Sequence, residues 1–329
     1  MDSREPSIRW RARVNVLGED RASSRIQRLE EEVRKSPRVR SLLRSRGRLE
    51  DPHSGRAVYQ KWHGLHWVLL SLAELGYPRG DESLNPMRDR VLSLWLSSSY
   101  FREFDADSKD AEYRGQGIAR VKGRYRRCAS QQGGALLAIT MLGITDDRAA
   151  QLVERLGHWQ WPDGGWNCDR NPSADTSSFA ETLLATQGLA AYGSEFHDPK
   201  AVAAARRAAE VFLRRRLFRR VSDGKIIWHD FVRLHFPLYW HYDVLGGLKA
   251  MGLLGLLKDP KCSEALDLLE SMRLPAGGWP AHSKYYTSLR HDDVHGAEYV
   301  DWGDGAKQAN PWVTSDALHV LREAGRWNP

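Results

Sequence analysis

Hydrophobic residues recur every three or four positions along most of this chain, which is the spacing of one face of an α-helix. Residues 61–76, for example, carry Trp62, Leu65 and Leu69 on one stripe. Residues 97–123 have no apolar period and predict a long polar loop. The other periodic segments predict helices over residues 24–46 (interrupted near Pro37), 86–96, 127–142, 177–192, 200–218, 239–254 and 311–324, and two more that begin after Asp146 and at Asp259.

The predicted helices alternate between polar-faced and apolar ones, and two of the connections between them are nearly identical. Residues 160–166 read Gln-Trp-Pro-Asp-Gly-Gly-Trp, and residues 273–279 read Arg-Leu-Pro-Ala-Gly-Gly-Trp. A helical hairpin cannot bury its apolar face alone, so repeated hairpins stack and share a core. We therefore predict an all-α fold, an (α/α) toroid of about five to six helical hairpins around a central cavity.

The repeats run almost to the end of the 329 residues, which predicts a single domain over residues 24–329 after a poorly ordered tail over residues 1–23. No apolar run reaches membrane-spanning length and no signal-peptide pattern is present, so we expect a cytoplasmic protein without an integral membrane segment. The three scattered cysteines argue against a disulfide framework and for a reducing compartment.

The formal net charge is +7, and arginine is dense in residues 34–48 and 214–220. The simplest interpretation is solvated helix faces; the alternative is attraction of an anionic substrate or polymer. Because no nucleic-acid-binding motif is present and the basic runs lack interleaved aromatic residues, we expect no nucleic-acid partner.

Residues 160–166 resemble the QW motif of squalene-hopene and related triterpene cyclases. A Gly-Gly-aromatic turn before an inner helix also occurs in the β subunits of protein prenyltransferases. The resemblance covers residues 60–325 and implies a single-barrel α/α toroid of the terpenoid cyclase and prenyltransferase superfamily. It further implies an isoprenoid-processing cyclase or transferase that binds an apolar or diphosphate-bearing substrate in the central cavity.

The acid motifs of those cyclases are absent from this chain. No Asp-x-Asp-Asp or Asp-Asp-x-x-Asp sequence occurs, although residues 105–108 and 291–293 come close. We therefore expect no cyclisation of squalene. Two other interpretations remain open: a lyase- or hydrolase-like enzyme acting on an anionic, non-isoprenoid substrate, and a non-catalytic ligand-binding or scaffold toroid.

Inner helices of a toroid direct their N-terminal ends to one mouth of the cavity, where helix dipoles favour anions. At one such end, His241 and Asp243 form a candidate catalytic acid–base pair, because a carboxylate orients a histidine and raises its pKa. The alternative is that Asp243 caps its helix and His241 bonds a loop. The candidate substrate-binding residues at these ends are Trp62, His66, Cys128, Gln131, Glu181, Tyr239, Trp240, Tyr242, Trp312 and Asp316.

Two of these candidates also have simpler explanations. Glu181 has the spacing of a capping-box partner for Ser178. Cys128 follows two arginines, which suits a nucleophile, but an isolated cysteine is more often a small buried hydrophobic residue.

The resemblance also implies a zinc site. Prenyltransferase β subunits hold zinc with an Asp-x-Cys pair and a later histidine; in this chain Cys168 and Asp169 come in the opposite order, and His241 follows at a comparable position. Cys168, Asp169 and His241 are thus the candidate metal ligands.

Overall fold

The computed structural model describes residues 3–44, 58–115, 117–285, 300, 302–303 and 305–327. In these residues the chain is mostly α-helical. The thirteen α-helices described are α1 (Pro6–Arg11), α2 (Ser24–Arg34), α3 (Pro37–Arg44), α4 (Leu65–Glu74), α5 (Asn85–Trp95), α6 (Lys109–Arg114), α7 (Ala129–Met141), α8 (Arg148–His158), α9 (Phe179–Glu195), α10 (Pro199–Leu213), α11 (Val244–Leu253), α12 (Ser263–Ser271) and α13 (Pro311–Glu323).

Buried and half-exposed helices alternate, as the sequence predicts. Helices α4, α7, α9 and α11 are buried on nearly all sides because their sequences contain very few charged residues. Helix α8 is typical of the other kind: Leu152 and Leu156 are buried, whereas Gln151 and Glu154 are exposed. The central part of the core is thus built by helices that solvent hardly reaches.

The buried helices pack against one another in chain order, α4 on α7, α7 on α9, α9 on α11 and α11 on α13. Helix α1 packs on α13, and from α1 the Arg11 guanidinium donates to the Glu74 carbonyl oxygen at the end of α4, at 3.0 Å. Helices α5, α8, α10 and α12 each pack against one or more of the buried helices. Within the described residues, no helix is both long and apolar enough to cross a membrane.

The two glycine-tryptophan turns make the same hydrogen bonds. Trp161 and Leu274 donate their backbone N–H groups to Gly165 and Gly278, at 2.8 and 2.9 Å. The indole N–H of the closing tryptophan reaches back into the preceding helix, from Trp166 to the Leu156 carbonyl at 3.0 Å and from Trp279 to the Leu269 carbonyl at 2.6 Å.

The connections onward from the turns are equivalent as well. The backbone N–H of each closing tryptophan donates to a threonine of the next buried helix, from Trp166 to Thr182 at 3.2 Å and from Trp279 to Thr314 at 2.9 Å. Each turn joins the helix before it to the helix after it, α8 to α9 in the first copy and α12 to α13 in the second.

Glycine is required in the first turn for two reasons. Gly164 has a φ of 107°, which other residues rarely adopt, and a Cβ there would lie 2.2 Å from the Arg207 carbonyl oxygen of α10. Gln160 fastens the same turn: its amide donates to the carbonyl oxygens of Gly164 and Ala204, at 2.6 and 2.8 Å.

The structure corrects the sequence at two places. Residues 97–123 are not a plain loop, because they contribute two strands to a small sheet. In this sheet β1 (Glu103–Asp105) pairs parallel to β2 (Ile118–Val121), and β2 pairs antiparallel to β3 (Arg124–Tyr125). The all-α prediction therefore holds only for the bulk of the fold.

The second correction concerns the N-terminal tail. Residues expected to be poorly ordered form α1 and a π-helical turn, Ala12–Val16, that packs on α13. Trp10 and Arg11 are buried there. The physical reason is that this segment contributes apolar area and a buried ion pair, which periodicity over so few residues does not reveal.

Candidate functional site

Two thiols and a carboxylate meet where α7 and α9 begin. The Sγ atoms of Cys128 and Cys168 and a carboxylate oxygen of Glu181 all lie within 4.8 Å of one another. The Cys168 thiol donates to Glu181 Oε1 at 3.2 Å. In the part of the chain that the structure describes, this is the group of histidine, cysteine and acidic side chains close enough to share a metal ion.

Each member reaches the cluster from a different element. Cys128 is the N-cap of α7, and Glu181 lies in the first turn of α9. Cys168 follows the first glycine-tryptophan turn, in a segment held to the start of α7 by the Arg127 backbone N–H, which donates to the Asn167 carbonyl at 3.1 Å.

The close approach of α7 and α9 brings the ends of these elements together. A Cβ at Gly133 would lie 2.4 Å from the Ala185 Cα, and a Cβ at Gly188 would lie 2.4 Å from the Gly133 carbonyl oxygen. Only glycine lets the two backbones come this near. The small-residue sequence of α7 is thus what places Cys128 beside Glu181.

Neighbouring donors orient the Glu181 carboxylate. Its Oε2 accepts from the Ser130 backbone N–H at 3.1 Å and from the Ser130 hydroxyl at 2.8 Å, which leaves Oε1 to face Cys168. The Ser178 hydroxyl accepts from the Glu181 N–H at 3.5 Å, so half of the expected capping box is present. The Glu181 carboxylate is turned toward the cluster, because the backbone N–H and hydroxyl of Ser130 at the start of α7 both donate to it.

A buried arginine lies next to the cluster. Arg127 is 7 % exposed, and its guanidinium donates to the side-chain oxygens of Gln132 and Gln131, at 3.0 and 3.1 Å. Its ring contacts are with Tyr100 and Trp159, at 5.1 and 5.6 Å from the centroids. Burial lowers its pKa, and the nearby Cys128 and Glu181 work in the opposite direction.

The Cys168 thiol of the cluster holds its proton in the absence of a cation. A hydrogen bond with Cys128, together with burial and the Glu181 charge, raises the pKa of the Cys168 thiol well above its ordinary value. Burial followed by the charge of Glu181 likewise raises the pKa of Tyr59. Without a cation, formation of the Cys168 thiolate is therefore strongly disfavoured.

Of the three predicted metal ligands, only Cys168 belongs to this cluster. Asp169 is exposed and accepts from the Asn171 backbone N–H at 2.9 Å, as in a turn. His241 lies elsewhere, stacked on Tyr285 with ring centroids 3.4 Å apart. Cys128 and Glu181, which the sequence indicated as substrate-binding residues, take the places expected for Asp169 and His241.

The predicted acid–base pair is arranged differently from the expectation. Asp243 caps α11 by accepting from the Gly246 N–H at 2.8 Å, and its other oxygen accepts from the His235 backbone N–H at 2.9 Å and faces His235 Nδ1 at 3.4 Å. His241 Nδ1 bonds the Leu238 carbonyl oxygen at 3.2 Å. The histidine that Asp243 contacts is therefore His235, not His241.

Burial governs the protonation state of His241. Desolvation lowers the pKa of His241 to about 4, so its ring is neutral near pH 7. The Nδ1 of His241 then donates to the Leu238 carbonyl, which leaves Nε2 with a free lone pair. His235 is 3 % exposed, and its Nε2 has no hydrogen-bond partner among the residues that the structure describes.

A cavity of about 50 Å³ lies beside the His235–Asp243 pair. Its apolar walls come from α4, α9, α11 and the segment before α11, and Tyr239 contributes an aromatic side. Charged side chains line the rest of it: Glu74, Lys249 and Asp316.

Those three charges belong to a buried network with Arg11. The Arg11 guanidinium pairs with Asp316, and the Lys249 ammonium lies 3.0 Å from Asp316 Oδ2 and 3.2 Å from Glu74 Oε2. Burial works to raise the pKa of Asp316, but Arg11 and Lys249 outweigh it and lower that pKa. The pairing of these residues was not predictable from the sequence, because they lie on four separate helices.

The other predicted substrate-binding residues mostly make internal contacts. His66 is buried and accepts from the Trp95 indole N–H at 3.3 Å, and desolvation lowers its pKa to about 3. The hydroxyl of Tyr242 donates to the Leu217 carbonyl at 2.6 Å. Trp312 stacks on Phe236 with ring centroids 5.2 Å apart.

Trp62, Tyr239 and Trp240 form an aromatic group with His241. Trp62 stacks on Tyr239 at 4.0 Å between ring centroids, and Trp240 stacks on His241 at 4.0 Å. The near-motif at residues 291–293 lies outside the described residues. The other near-motif is structural, because Asp105 pairs with Arg120 at 2.7 Å in the small sheet.

No protein-family model and no curated protein matches this chain. Among solved structures, it is similar to a protein from Actinoplanes known from a crystal structure, with 16 % sequence identity over 97 % of this chain and 90 % of that one. The TM-score is 0.41, which is too low to carry a conclusion about fold or function.

Proposed function

We propose that this protein is a zinc-dependent enzyme whose metal is held by Cys128, Cys168 and Glu181. The observation that carries the proposal is the meeting of two thiols and a buried carboxylate within 4.8 Å, at the ends of three elements that are distant in sequence. Two thiolates and a carboxylate are a donor set that Zn²⁺ accepts in proteins.

The geometry of the cluster fits that ion. Zinc–sulfur bonds of about 2.3 Å and zinc–oxygen bonds of about 2.0–2.2 Å place tetrahedral ligands roughly 3.5 Å apart. The 3.2 Å between Cys168 Sγ and Glu181 Oε1 is close to that separation. Three protein ligands leave the fourth position to water or substrate, which is the pattern of catalytic rather than structural zinc.

The charge of Arg127 supports the same assignment. Zinc binding requires both thiols to lose their protons. Two thiolates, a carboxylate and a divalent cation sum to one negative charge, which the buried guanidinium beside them offsets. In the metal-free state the same guanidinium is buried against neutral glutamines, an expensive arrangement for a charge.

We propose that the helices form the single-barrel α/α toroid implied by the resemblance to terpenoid cyclases and prenyltransferases. The succession of buried helices from α4 to α13 supports a ring, and α1 with Arg11 supplies its closing contact. In such a ring α7, α9 and α11 would begin at one mouth, and Cys128, Glu181 and Asp243 lie at the starts of these three helices.

A hydrolase- or lyase-like reaction on a small polar substrate is the activity we favour. Zinc polarises a carbonyl or phosphoryl group or activates water. An isoprenoid chain, the substrate first expected, is less favoured: pockets for such ligands measure about 300–1,000 Å³. The cavity beside Asp243 measures about 50 Å³, and a second cavity that shares Glu74, Lys249 and Asp316 with it measures about 260 Å³.

In this proposal His241 and His235 are the candidates for proton transfer. Both have an Nε2 without a hydrogen-bond partner among the contacts described above, and Asp243 orients His235. The thiols require a reducing compartment to stay metal-competent, which agrees with the cytoplasmic location predicted from the sequence.

A non-catalytic toroid is the second candidate. The observation that favours it is the network of Arg11, Glu74, Lys249 and Asp316, whose ion pairs tie α1, α4, α11 and α13 to one another rather than leaving these charges to a substrate. A metal site that binds zinc but leaves no reactive position would satisfy that alternative.

The test is zinc stoichiometry and thermal stability. We expect the purified protein to bind one zinc ion and to gain about 2.7 kcal/mol of stability at a free zinc concentration of 100 Kd. Cys168→Ser should lose both effects, whereas Cys262→Ser, a buried thiol outside the cluster, should keep them.

Cobalt substitution then separates the two candidates. Cobalt bound by two thiolates gives a sulfur-to-metal charge-transfer band, and an added anion that enters a fourth position changes the visible spectrum. Zinc bound without any response to anions would favour the non-catalytic toroid. Absence of zinc binding in the reduced wild-type protein would contradict the proposal altogether.

A further inference from the structure

The chain between α10 and α11 forms a short hairpin that exposes three apolar side chains to solvent. Val221 is 73 % exposed, Ile226 is 43 % exposed and Trp228 is 56 % exposed. Ile226 and Trp228 flank Ile227, which packs against the core, so the two exposed side chains lie on the same side of their strand.

Backbone hydrogen bonds hold this hairpin in shape. Arg219 and Ile226 form an antiparallel bridge, and the Arg220 N–H donates to the Lys225 carbonyl at 2.7 Å. The Ile227 N–H donates to the Phe218 carbonyl at 2.9 Å, and Phe218 is buried. These hydrogen bonds fix the backbone that carries Val221, Ile226 and Trp228.

Basic residues lie close in sequence to these exposed apolar side chains. Residues 214–228 contain five arginines and a lysine but one acidic residue, Asp223, and Asp230 adds a second carboxylate, which accepts from the Trp228 indole N–H at 3.3 Å. The side chains of Arg216 and Arg220 are 61 % and 54 % exposed. Glu264 pairs with Arg216 and Arg219, so part of the positive charge is balanced and the remainder faces solvent.

We propose that this hairpin, residues 218–228, docks the protein on an anionic lipid bilayer. The apolar side chains would enter the interfacial region, where tryptophan is favoured, and the arginines and lysine would contact the anionic headgroups. The charge complementarity selects this partner over a neutral surface.

A bilayer fits the size of the patch better than a protein partner does. Stable protein interfaces bury about 800 Å² on each partner, far more than three side chains on one hairpin provide. Insertion of a few apolar side chains combined with basic contacts is sufficient for reversible binding to an anionic membrane. The inference is independent of the zinc site, so either proposal can fail alone.

Co-sedimentation with vesicles tests the proposal. We expect the wild-type protein to bind vesicles of phosphatidylcholine mixed with phosphatidylserine, and to bind pure phosphatidylcholine at least tenfold more weakly. Val221→Asp combined with Trp228→Asp should reduce binding to the mixed vesicles at least tenfold. Phe196→Asp, which changes another exposed aromatic residue outside the hairpin, should bind as the wild type does.

A second variant tests the basic residues of the hairpin. Arg220→Glu combined with Lys225→Glu should weaken binding and reduce its dependence on salt, because attraction between exposed charges is screened. Circular dichroism and melting temperature check that each variant is folded, which the exposure of the changed residues predicts.

Three outcomes would overturn the proposal. They are binding that persists in the Val221/Trp228 variant, equal binding to neutral and anionic vesicles, and no binding of the wild type to either. A concentration-dependent dimer in sedimentation velocity that the same variant abolishes would assign the patch to a second copy of this chain instead.

Discussion

The two glycine-tryptophan turns share their hydrogen bonds and differ in their chemistry. Both fasten an amphipathic helix to a buried one through the same indole, backbone and threonine contacts. Yet the residue two positions after the closing tryptophan is Cys168 in the first copy and Ala281 in the second. The turn therefore supports the fold in both copies, and the chemistry comes from the side chains that follow it.

The buried helices that follow the two turns differ in the same way. Ser178 and Asn310, which cap these helices, contact the turns in the same way. The backbone N–H of each donates to the carbonyl oxygen of the preceding closing tryptophan, at 2.8 Å. Counted from these caps, Glu181 corresponds to Val313, and the apolar Leu184 corresponds to Asp316. One copy presents thiols and a carboxylate, and the other presents the carboxylate of an internal ion network.

The largest effect should come from removing the tryptophans that close the two turns. Trp166→Ala and Trp279→Ala should each cost about 3–5 kcal/mol of unfolding free energy, because both indoles are buried and leave large cavities. Only Trp166→Ala should also lower zinc stoichiometry. Urea denaturation and metal analysis measure the two effects.

Trp228→Ala is the control, since that exposed indole should change the unfolding free energy by less than about 0.5 kcal/mol. If Trp166→Ala is too unstable to purify, Trp166→Phe serves the metal measurement. Equal loss of zinc from both turn variants would show that the comparison between the turns is wrong.

A smaller but still large effect is expected at Asp316. Asp316→Asn should cost about 3 kcal/mol, because it leaves the buried Arg11 and Lys249 without one of their anionic partners. Zinc affinity should stay unchanged, since this carboxylate belongs to the second copy. Chemical denaturation with parallel zinc titration measures both quantities.

Asp267→Asn provides the comparison with an exposed ion pair. Its side chain is 62 % exposed beside Arg326, so its loss should cost less than about 1 kcal/mol. An Asp316→Asn cost as small as that of Asp267→Asn would mean that the network does not hold α1, α4, α11 and α13 together.

The smallest effect concerns the dependence of stability on pH. The pKa of His66 is lowered to about 3 by burial, so the folded state resists a proton that the unfolded state accepts below about 6.5. Stability that is complete above pH 6.5 should be lost as the pH falls, by at most about 1.4 kcal/mol per pH unit for this group. The pKa of Asp316 is also lowered, so the stability that its carboxylate contributes is lost only as the pH falls below its ordinary value of 3.8.

His66→Gln should therefore flatten the slope of unfolding free energy between pH 6.5 and 4, and Asp316→Asn should not. His229→Gln changes a side chain that is 68 % exposed and should leave the slope intact. Identical slopes in wild type and His66→Gln would refute the assignment of a neutral, buried His66.

Local features of the fold were predictable because their causes lie within a few residues. The interruption at Pro37 separates α2 from α3, and Asp259 caps the turn before α12, as their residue types predict. The small sheet was missed because strands of two to four residues are too short to show a period.

The candidate site was predictable only in part. Cys128, Cys168 and Glu181 were each singled out, but the sequence assigned Cys168 to a set with Asp169 and His241. Their true grouping depends on how closely α7 approaches α9, which Gly133 and Gly188 permit and the rest of the packing enforces.

Periodicity, capping and glycine act locally, so the sequence was sufficient to predict most of the long helices, the apolar ones among them and the repeat of the two turns. Tertiary structure alone decided that Asp243 meets His235 rather than His241, and that a thiol pair meets a glutamate. It also decided that Arg11 closes onto Asp316, more than 300 positions away. Such contacts depend on the relative placement of whole helices, which no short-range pattern in the chain encodes.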